Sequence, residues 1–112
     1  MNRTRRNALT GLKNRLEEIA SPPAGQSADS LDDIPARLEE IEAELEELRD
    51  EEQEYLDNMP ESHQEGKRGT AAQDAIDEIE TAIDEVDSAR DALDTALQAL
   101  RDAQNAIEAA AQ

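Results

Sequence analysis

The stretch AIDEIETAIDEVDSARDALDTALQALRDAQNAI, residues 75–107, repeats its apolar side chains at alternating steps of three and four. Such spacing over at least four heptads is typical of the a and d core positions of a coiled-coil helix. These positions are Ile76, Ile79, Ile83, Val86, Arg90, Leu93, Leu97, Leu100, Gln104 and Ile107. The residue before each a position is an alanine, which widens the buried face and lets a neighbouring helix approach closely. These alanines are Ala75, Ala82, Ala89, Ala96, Ala103 and Ala110.

A second heptad register precedes the first, in LDDIPARLEEIEAELEELRDEEQEYLDNM, residues 31–59. Its core positions are Leu31, Ile34, Leu38, Ile41, Leu45, Leu48, Glu52, Tyr55 and Met59. Pro60 cannot continue this helix, and the turn that follows is too short for anything but an antiparallel return. The sequence therefore predicts an all-α fold in which residues 31–112 form an acidic helical hairpin. We expect its helices at about 34–58 and 70–110 and its turn at about 59–69.

Local signals mark where the two long helices begin. Asp33 is a suitable N-cap, and Pro35 is tolerated in the first turn of a helix. Thr70 followed by Gln73 fits the capping-box pattern. We therefore expect the second long helix to begin at Thr70.

The N-terminal region is predicted to be a shorter helix followed by a linker. Residues 1–20 are a basic arm, helical from about residue 4, and the Pro-, Gly- and Ser-rich SPPAGQSADS at 21–30 is a linker. At about 1.5 Å per residue, the first two helices together match the third in length. This match predicts that the first helix covers the C-terminal part of the last one, within one chain or between chains.

Three core positions of the heptads are polar: Glu52, Arg90 and Gln104. Polar residues in a coiled-coil seam often fix register and oligomeric state. Alternatively, Arg90 pairs with Glu39 or Glu42 across the hairpin. Because a hairpin of two helices leaves much of its apolar face exposed to water, we expect a homo-oligomer.

The composition excludes several classes of protein. The formal net charge is -18, the chain has one aromatic residue and it has no cysteine. Disulfides and thiolate metal sites are therefore excluded, and no apolar run approaches the length of a membrane span. The charge disfavours direct binding of nucleic acid or anionic membrane by the acidic body and favours a basic protein partner. We expect a soluble cytoplasmic protein.

Carboxylates form two ladders with helical spacing, one on each long helix. The ladder of the second long helix is Asp77, Glu80, Asp84, Asp87, Asp91 and Asp94, and that of the first is Glu40, Glu44, Glu47, Glu51 and Glu54. Each pair of like charges at this spacing costs about 0.2–0.5 kcal/mol. One interpretation is that the ladders are solvated faces, whose repulsion a salt-rich cytoplasm would screen. A second is that they imitate a nucleic-acid backbone and occupy a basic groove on a partner. A third is that they contact a basic protein that does not bind nucleic acid. Metal binding by the ladders would be nonspecific, since calcium-loop spacing is absent.

The first 16 residues contain no acid and carry the basic residues of the arm: Arg3, Arg5, Arg6, Lys13 and Arg15. Cations at a helix N-terminus oppose the macrodipole, so local helix stability does not explain them. Two uses remain open. The arm docks on the acidic helices, or it binds a ligand that carries phosphate.

Catalytic constellations are not recognisable in the sequence, and we expect neither an enzyme nor a cofactor. His63 stands alone in the turn beside Ser62, and adjacent side chains in an extended turn point apart. GKRG at 66–69 lacks the full phosphate-loop pattern and follows no strand.

The stretch RDEEQEYLDNMPESHQEGKRG, residues 49–69, with AIDEIETAIDEVDSA after it, resembles small acidic helical proteins of tailed phages, prophages and other mobile elements. The likeness covers about residues 48–90 and a short basic start. Lys67 and Arg68 depart from the acidic or polar pair expected there. The resemblance implies a genetic context and no activity, because the function of the group is uncharacterised. The hairpin tip is a second candidate contact, through Asn58, Pro60, Glu61, Lys67 and Arg68.

Three functions remain as hypotheses. The first is stoichiometric binding of a basic host or defence protein through the acidic helices, as an anti-CRISPR-like inhibitor or nucleic-acid mimic. The second is a structural coiled-coil assembly protein. The third is an oligomer that sequesters nucleotides through the basic arm.

Overall fold

A computed structural model describes residues 2–20 and 33–111, so the predicted linker at 21–30 lies outside the described residues. The described chain forms four helices: α1 (Arg3–Ala20), α2 (Asp33–Asp57), α3 (Glu61–Gln64) and α4 (Lys67–Ala111). The molecule is long and flat, with extents of 73 × 29 × 15 Å. Within the described ranges, none of the helices combines the length and apolarity needed to cross a membrane.

The all-α helical hairpin predicted from the heptads is confirmed, because α2 and α4 pack against each other along most of α2. The buried side chains of their interface are the expected core positions, together with Ala72. They are Leu38, Ile41, Leu45 and Leu48 of α2, and Ala72, Ile76, Ile79, Ile83 and Val86 of α4. Full burial of such a Leu or Ile contributes about 1.5–3 kcal/mol, which makes this seam the main source of stability.

The position of α1 differs from the one predicted by matching helix lengths. Instead of covering the C-terminal part of α4, α1 packs beside α2 and runs antiparallel to it. Two ion pairs define this orientation, since Arg5 contacts Glu52 and Arg15 contacts Glu44. Leu12 is 5% exposed and joins the hairpin core. Length matching failed because it ignored the leucine stripe and the arginines of α1, which find their partners on α2.

A single turn of helix, α3, reverses the chain between the two long helices. Pro60 precedes it with φ -55° and ψ 144°, and its carbonyl accepts hydrogen bonds from His63 N at 2.8 Å and Gln64 N at 3.1 Å. The side-chain amide of Gln64 donates to Leu56 O and Met59 O, both at 3.1 Å. These two bonds tie α3 to the end of α2, where Leu56 O also accepts a hydrogen bond from Met59 N at 3.1 Å.

The beginning of α4 is three residues earlier than predicted, at Lys67. Thr70 N donates to Gly66 O at 3.0 Å, which is the first i→i−4 bond of the helix, so Thr70 lies inside α4 and does not cap it. Gln73 donates to Asp77 Oδ1 at 3.0 Å and does not complete a capping box. The helix starts early because α3 completes the reversal within a few residues of Pro60.

Gly69 is required where α3 rests on α4. A Cβ at this position would lie 1.9 Å from the carbonyl oxygen of Gln64. Any other residue would push α3 away from α4. The glycine therefore fixes the close packing of the turn.

Candidate acidic binding surface

The hairpin has two long edges, which differ in what covers them. In an antiparallel pair of helices, the e positions of both flank one side of the a/d seam and the g positions flank the other. We call the side with the g and c positions the closed edge, because α1 packs there, with Arg15 on Glu44 and Leu12 in the hairpin core. The side with the e and b positions is the open edge. Arg90 identifies it, because this side chain reaches Glu42 and Asp87, which both occupy e positions.

The acidic ladder of α2 lies on the closed edge. Its members are at the c and g positions and are all exposed: Glu40, Glu44, Glu47, Glu51 and Glu54. Arg15 of α1 forms an ion pair with Glu44, and its Nη2 lies 3.9 Å from Glu40 Oε2. The basic arm therefore compensates part of this ladder.

The acidic ladder of α4 lies on the open edge, at the b and e positions. Asp77, Glu80, Asp84, Asp91 and Asp94 are exposed, and Asp87 is half-buried. The two ladders thus face different sides of the hairpin. The carboxylates of α2 that share the open edge with the α4 ladder are Glu39, Glu42 and Glu46. The spacing of carboxylates along α2 alone did not indicate these three as part of a contact surface. Their b and e heptad positions place them on the open edge when the two helices pair antiparallel.

An arginine in the seam joins the two helices at the open edge. Arg90 Nη1 donates to Glu42 Oε2 at 2.7 Å, and Arg90 Nη2 donates to Asp87 Oδ1 at 3.2 Å. The side chains of Arg90 and Glu42 are 29% and 13% exposed. The predicted pairing of Arg90 with Glu39 or Glu42 is confirmed for Glu42. The polar seam residue Arg90 therefore forms a partly buried ion pair that connects α4 to α2.

A second arginine crosses from α1 into the seam at the closed edge. Arg5 Nε donates to Glu52 Oε2 at 2.6 Å, and the side chain of Glu52 is fully buried. The guanidinium of Arg5 also lies 5.5 Å from the centre of the Tyr55 ring, within the range of a cation–π contact. The expected docking of the basic arm is seen here and at Arg15. Arg3, Arg6 and Lys13 are exposed.

An open groove of about 450 Å³ runs between α1 and α2. Small residues of α1, Ala8 and Gly11, form one wall, and the carboxylates of Glu47 and Glu51 stand on the other. The groove lies between the two arginine contacts of α1, beside the buried Leu12.

The hairpin tip brings together the remaining residues singled out by the sequence. Asn58, Pro60, Glu61, Lys67 and Arg68 are all exposed around α3. Lys67 and Arg68 occupy the first turn of α4, where a cation opposes the helix macrodipole. Their placement does not stabilise α4, and among residues 2–20 and 33–111 no contact explains it.

Two further results bear on function. Within the described residues, no group of three or more His, Cys, Asp or Glu side chains is arranged to hold a metal ion. No family model, curated protein or solved structure matches the chain. The surface itself is therefore the guide to function.

Proposed function

We propose that this chain is a non-enzymatic accessory protein that binds a basic protein stoichiometrically, with the open edge as its contact surface. The observation that carries the proposal is the exposed α4 ladder, on the side of the hairpin that α1 does not cover. The closed edge supports it, because there the hairpin already binds arginines of a helix. A basic partner at the open edge would use the same kind of contact.

The spacing of the α4 ladder suits a partner that normally binds nucleic acid. Steps of three and four residues place one carboxylate per roughly 5 Å of helix axis, against one phosphate per about 3.4 Å along a DNA strand. A basic groove that follows a phosphate backbone would therefore meet a line of carboxylates on α4 whose charges are spaced more widely than the phosphates of a DNA strand. In the phage context that the sequence resemblance implies, the partner would be a host nuclease or defence effector, and the chain would act as an anti-CRISPR-like inhibitor.

The test compares equal charge removal from the two edges. The full-length chain, immobilised, captures its partner from host lysate, and the purified partner is then titrated with three chains. These are the wild type, an open-edge variant (Asp84→Asn, Asp91→Asn, Asp94→Asn) and a closed-edge variant (Glu47→Gln, Glu51→Gln, Glu54→Gln). We expect the open-edge variant to bind at least about tenfold more weakly, and the closed-edge variant within about threefold of wild type.

Salt and competition complete the test. Affinity should fall steeply between about 0.05 and 0.5 M salt, because exposed charges are screened over a few ångströms at high ionic strength. DNA should displace the chain from a partner that binds nucleic acid. Binding that is unchanged at high salt, or weakened equally by both variants, would refute the proposal. If DNA does not displace the chain, the open edge would still be the contact surface, but the chain would not act as a nucleic-acid mimic.

One observation favours a second candidate, a coiled-coil assembly protein. Leu100 and Ile107 continue the seam of α4 and remain 56% and 70% exposed. For an assembly protein, neutralising the α4 ladder should leave activity intact, whereas breaking the Leu/Ala seam should abolish it. The nucleotide-sequestering hypothesis fits less well, since a phosphate on Arg5 or Arg15 would have to displace a carboxylate that the arginine already contacts.

A further inference from the structure

The last four turns of α4 continue the coiled-coil pattern beyond the hairpin. We call residues 97–111 the tail. Leu93, one heptad step before it, is still packed against the core, but every residue of 98–110 is exposed. The core positions of the tail include Leu97, Leu100 and Ile107, and they continue the register of the buried seam without interruption. The same helix face that binds α2 near the turn is thus open to solvent at the other end.

The charge of the tail differs sharply from that of the rest of the molecule. The tail, residues 97–111, contains two acids, Asp102 and Glu108, and one base, Arg101. The whole chain carries -18, so most of its surface repels a second copy. Of the two ends of α4, the tail is the one where two copies approach each other at the lower electrostatic cost. A basic partner finds little attraction there.

We infer that the tail pairs with the tail of a second copy as an antiparallel two-helix coiled coil. A parallel pair would place both acidic hairpins side by side at one end. An antiparallel pair places them at opposite ends, about as far apart as the molecule allows. The occupant of the exposed face is therefore an identical tail.

The heptad positions give the register of this pair. Alternating a and d positions face each other when Leu97 lies opposite Ile107 of the second copy and Leu100 lies opposite Gln104. The g-position alanines then face each other, with Ala103 against Ala103 near the two-fold axis and Ala96 against Ala110 towards the ends of the interface. Small residues there let the backbones approach closely and bury the adjacent leucines. The interface is self-complementary, as a two-fold dimer requires.

The interface is short, and its e positions bring Arg101 beside Arg101 and Asp94 beside Glu108 of the second copy, so the dimer is weak. The tail is about 22 Å long, and the pair buries less than the roughly 1,200–2,000 Å² of a standard stable interface. We therefore expect dissociation at micromolar concentrations and dimer formation as the concentration approaches millimolar.

Sedimentation equilibrium of the full chain between about 10 µM and 1 mM tests this. The wild type should change from monomer to dimer, and the variant Leu100→Gln, Ile107→Gln should raise the dimer Kd at least tenfold. The matched control Ala99→Gln, Ala106→Gln changes c positions of the same turns, which lie outside the a/d seam, and should dimerise like wild type. Helix content and unfolding midpoint at the lowest concentration should be the same for all three chains, because these side chains are exposed in the monomer.

The results that overturn the inference are distinct. A wild type that stays monomeric at 1 mM, or a dimer that the Leu100 and Ile107 changes do not weaken, refutes the tail interface. A monomeric wild type in which those changes also lower the unfolding midpoint would show that the tail is covered by its own chain.

Cross-linking tests the antiparallel arrangement directly. The chain has no cysteine, so a single introduced thiol reports on one position. Ala103→Cys should form an intermolecular disulfide under mild oxidation, because antiparallel pairing brings the two g positions together at the axis. Ala106→Cys, on the outer face, should not. In a parallel dimer the two g positions lie on opposite sides of the seam, so a dimer without the 103–103 disulfide contradicts the antiparallel register.

Discussion

The two edges of the hairpin are both acidic, yet only one of them holds a basic helix. The closed edge presents a small alanine, Ala82, beside the seam and a buried carboxylate, Glu52, within reach of α1. The open edge presents e-position carboxylates and an arginine, Arg90, that comes from the hairpin itself. Acidity alone therefore does not decide where a basic helix binds. It binds where apolar contact and a buried charge are available together.

The ion pairs of the two edges differ in burial, and burial orders their expected contributions. Arg5 and Glu52 are 12% and 0% exposed, Arg90 and Glu42 are 29% and 13%, and Arg15 and Glu44 are 37% and 51%. Removing one member of a buried pair leaves the other charge without compensation, whereas an exposed pair is screened by water. The predictions below follow this order.

The largest effect is expected when the buried pair of the closed edge is broken. Arg5→Ala should lower the free energy of unfolding by about 3 kcal/mol, because it leaves Glu52 with less compensation in the seam and removes the contact with Tyr55. Urea unfolding followed by circular dichroism measures this. Arg15→Ala, the control on the same helix, should cost less than about 1 kcal/mol. Equal losses for the two variants would mean that α1 is held by net charge and not by the buried pair.

A double substitution separates the cost of an uncompensated charge from the value of the pair. Arg5→Leu with Glu52→Leu replaces both charges by apolar groups, and such replacements are often neutral or stabilising. We expect the double variant to be at least as stable as wild type. A loss as large as that of Arg5→Ala would show that the pair itself stabilises the docked α1.

A smaller effect is expected at the open edge. Arg90→Gln should cost about 1–2 kcal/mol, because Glu42 is partly exposed and water can replace some of the lost contact. A double-mutant cycle with Glu42→Gln should give a coupling energy of about 1 kcal/mol. If the coupling were near zero, Arg90 would serve the seam only through the packing of its aliphatic part.

The sequence predicted the hairpin because heptad spacing reports the a and d positions without knowledge of the partner. The antiparallel turn also led to the alternative that Arg90 pairs with Glu39 or Glu42, and the structure shows the pair with Glu42. The placement of α1 could not be predicted from lengths, since it depends on where the hairpin core accepts Leu12 and on which seam carboxylate Arg5 reaches. The early start of α4 was missed for a similar reason. It depends on the contact between Gln64 and Gly69, which no local capping signal reports. The assignment of the ladders to different edges also required the antiparallel register.

The smallest effect should strengthen the closed edge. Gly11 lies within α1 in the wall of the groove, and a Cβ there would meet nothing within 4 Å. Gly11→Ala should therefore raise the free energy of unfolding by about 0.5–1 kcal/mol, since alanine loses less backbone entropy than glycine in a helix. Ala8→Gly, in the same wall, is the reciprocal control and should lower stability by a similar amount. Both values come from urea unfolding at one protein concentration, so that self-association does not contribute.

A destabilising Gly11→Ala would show that α1 packs more tightly on α2 than the open groove indicates. A neutral result for both would show that α1 separates from the hairpin before the cooperative transition, which the coupling of Arg5 to the buried Glu52 argues against.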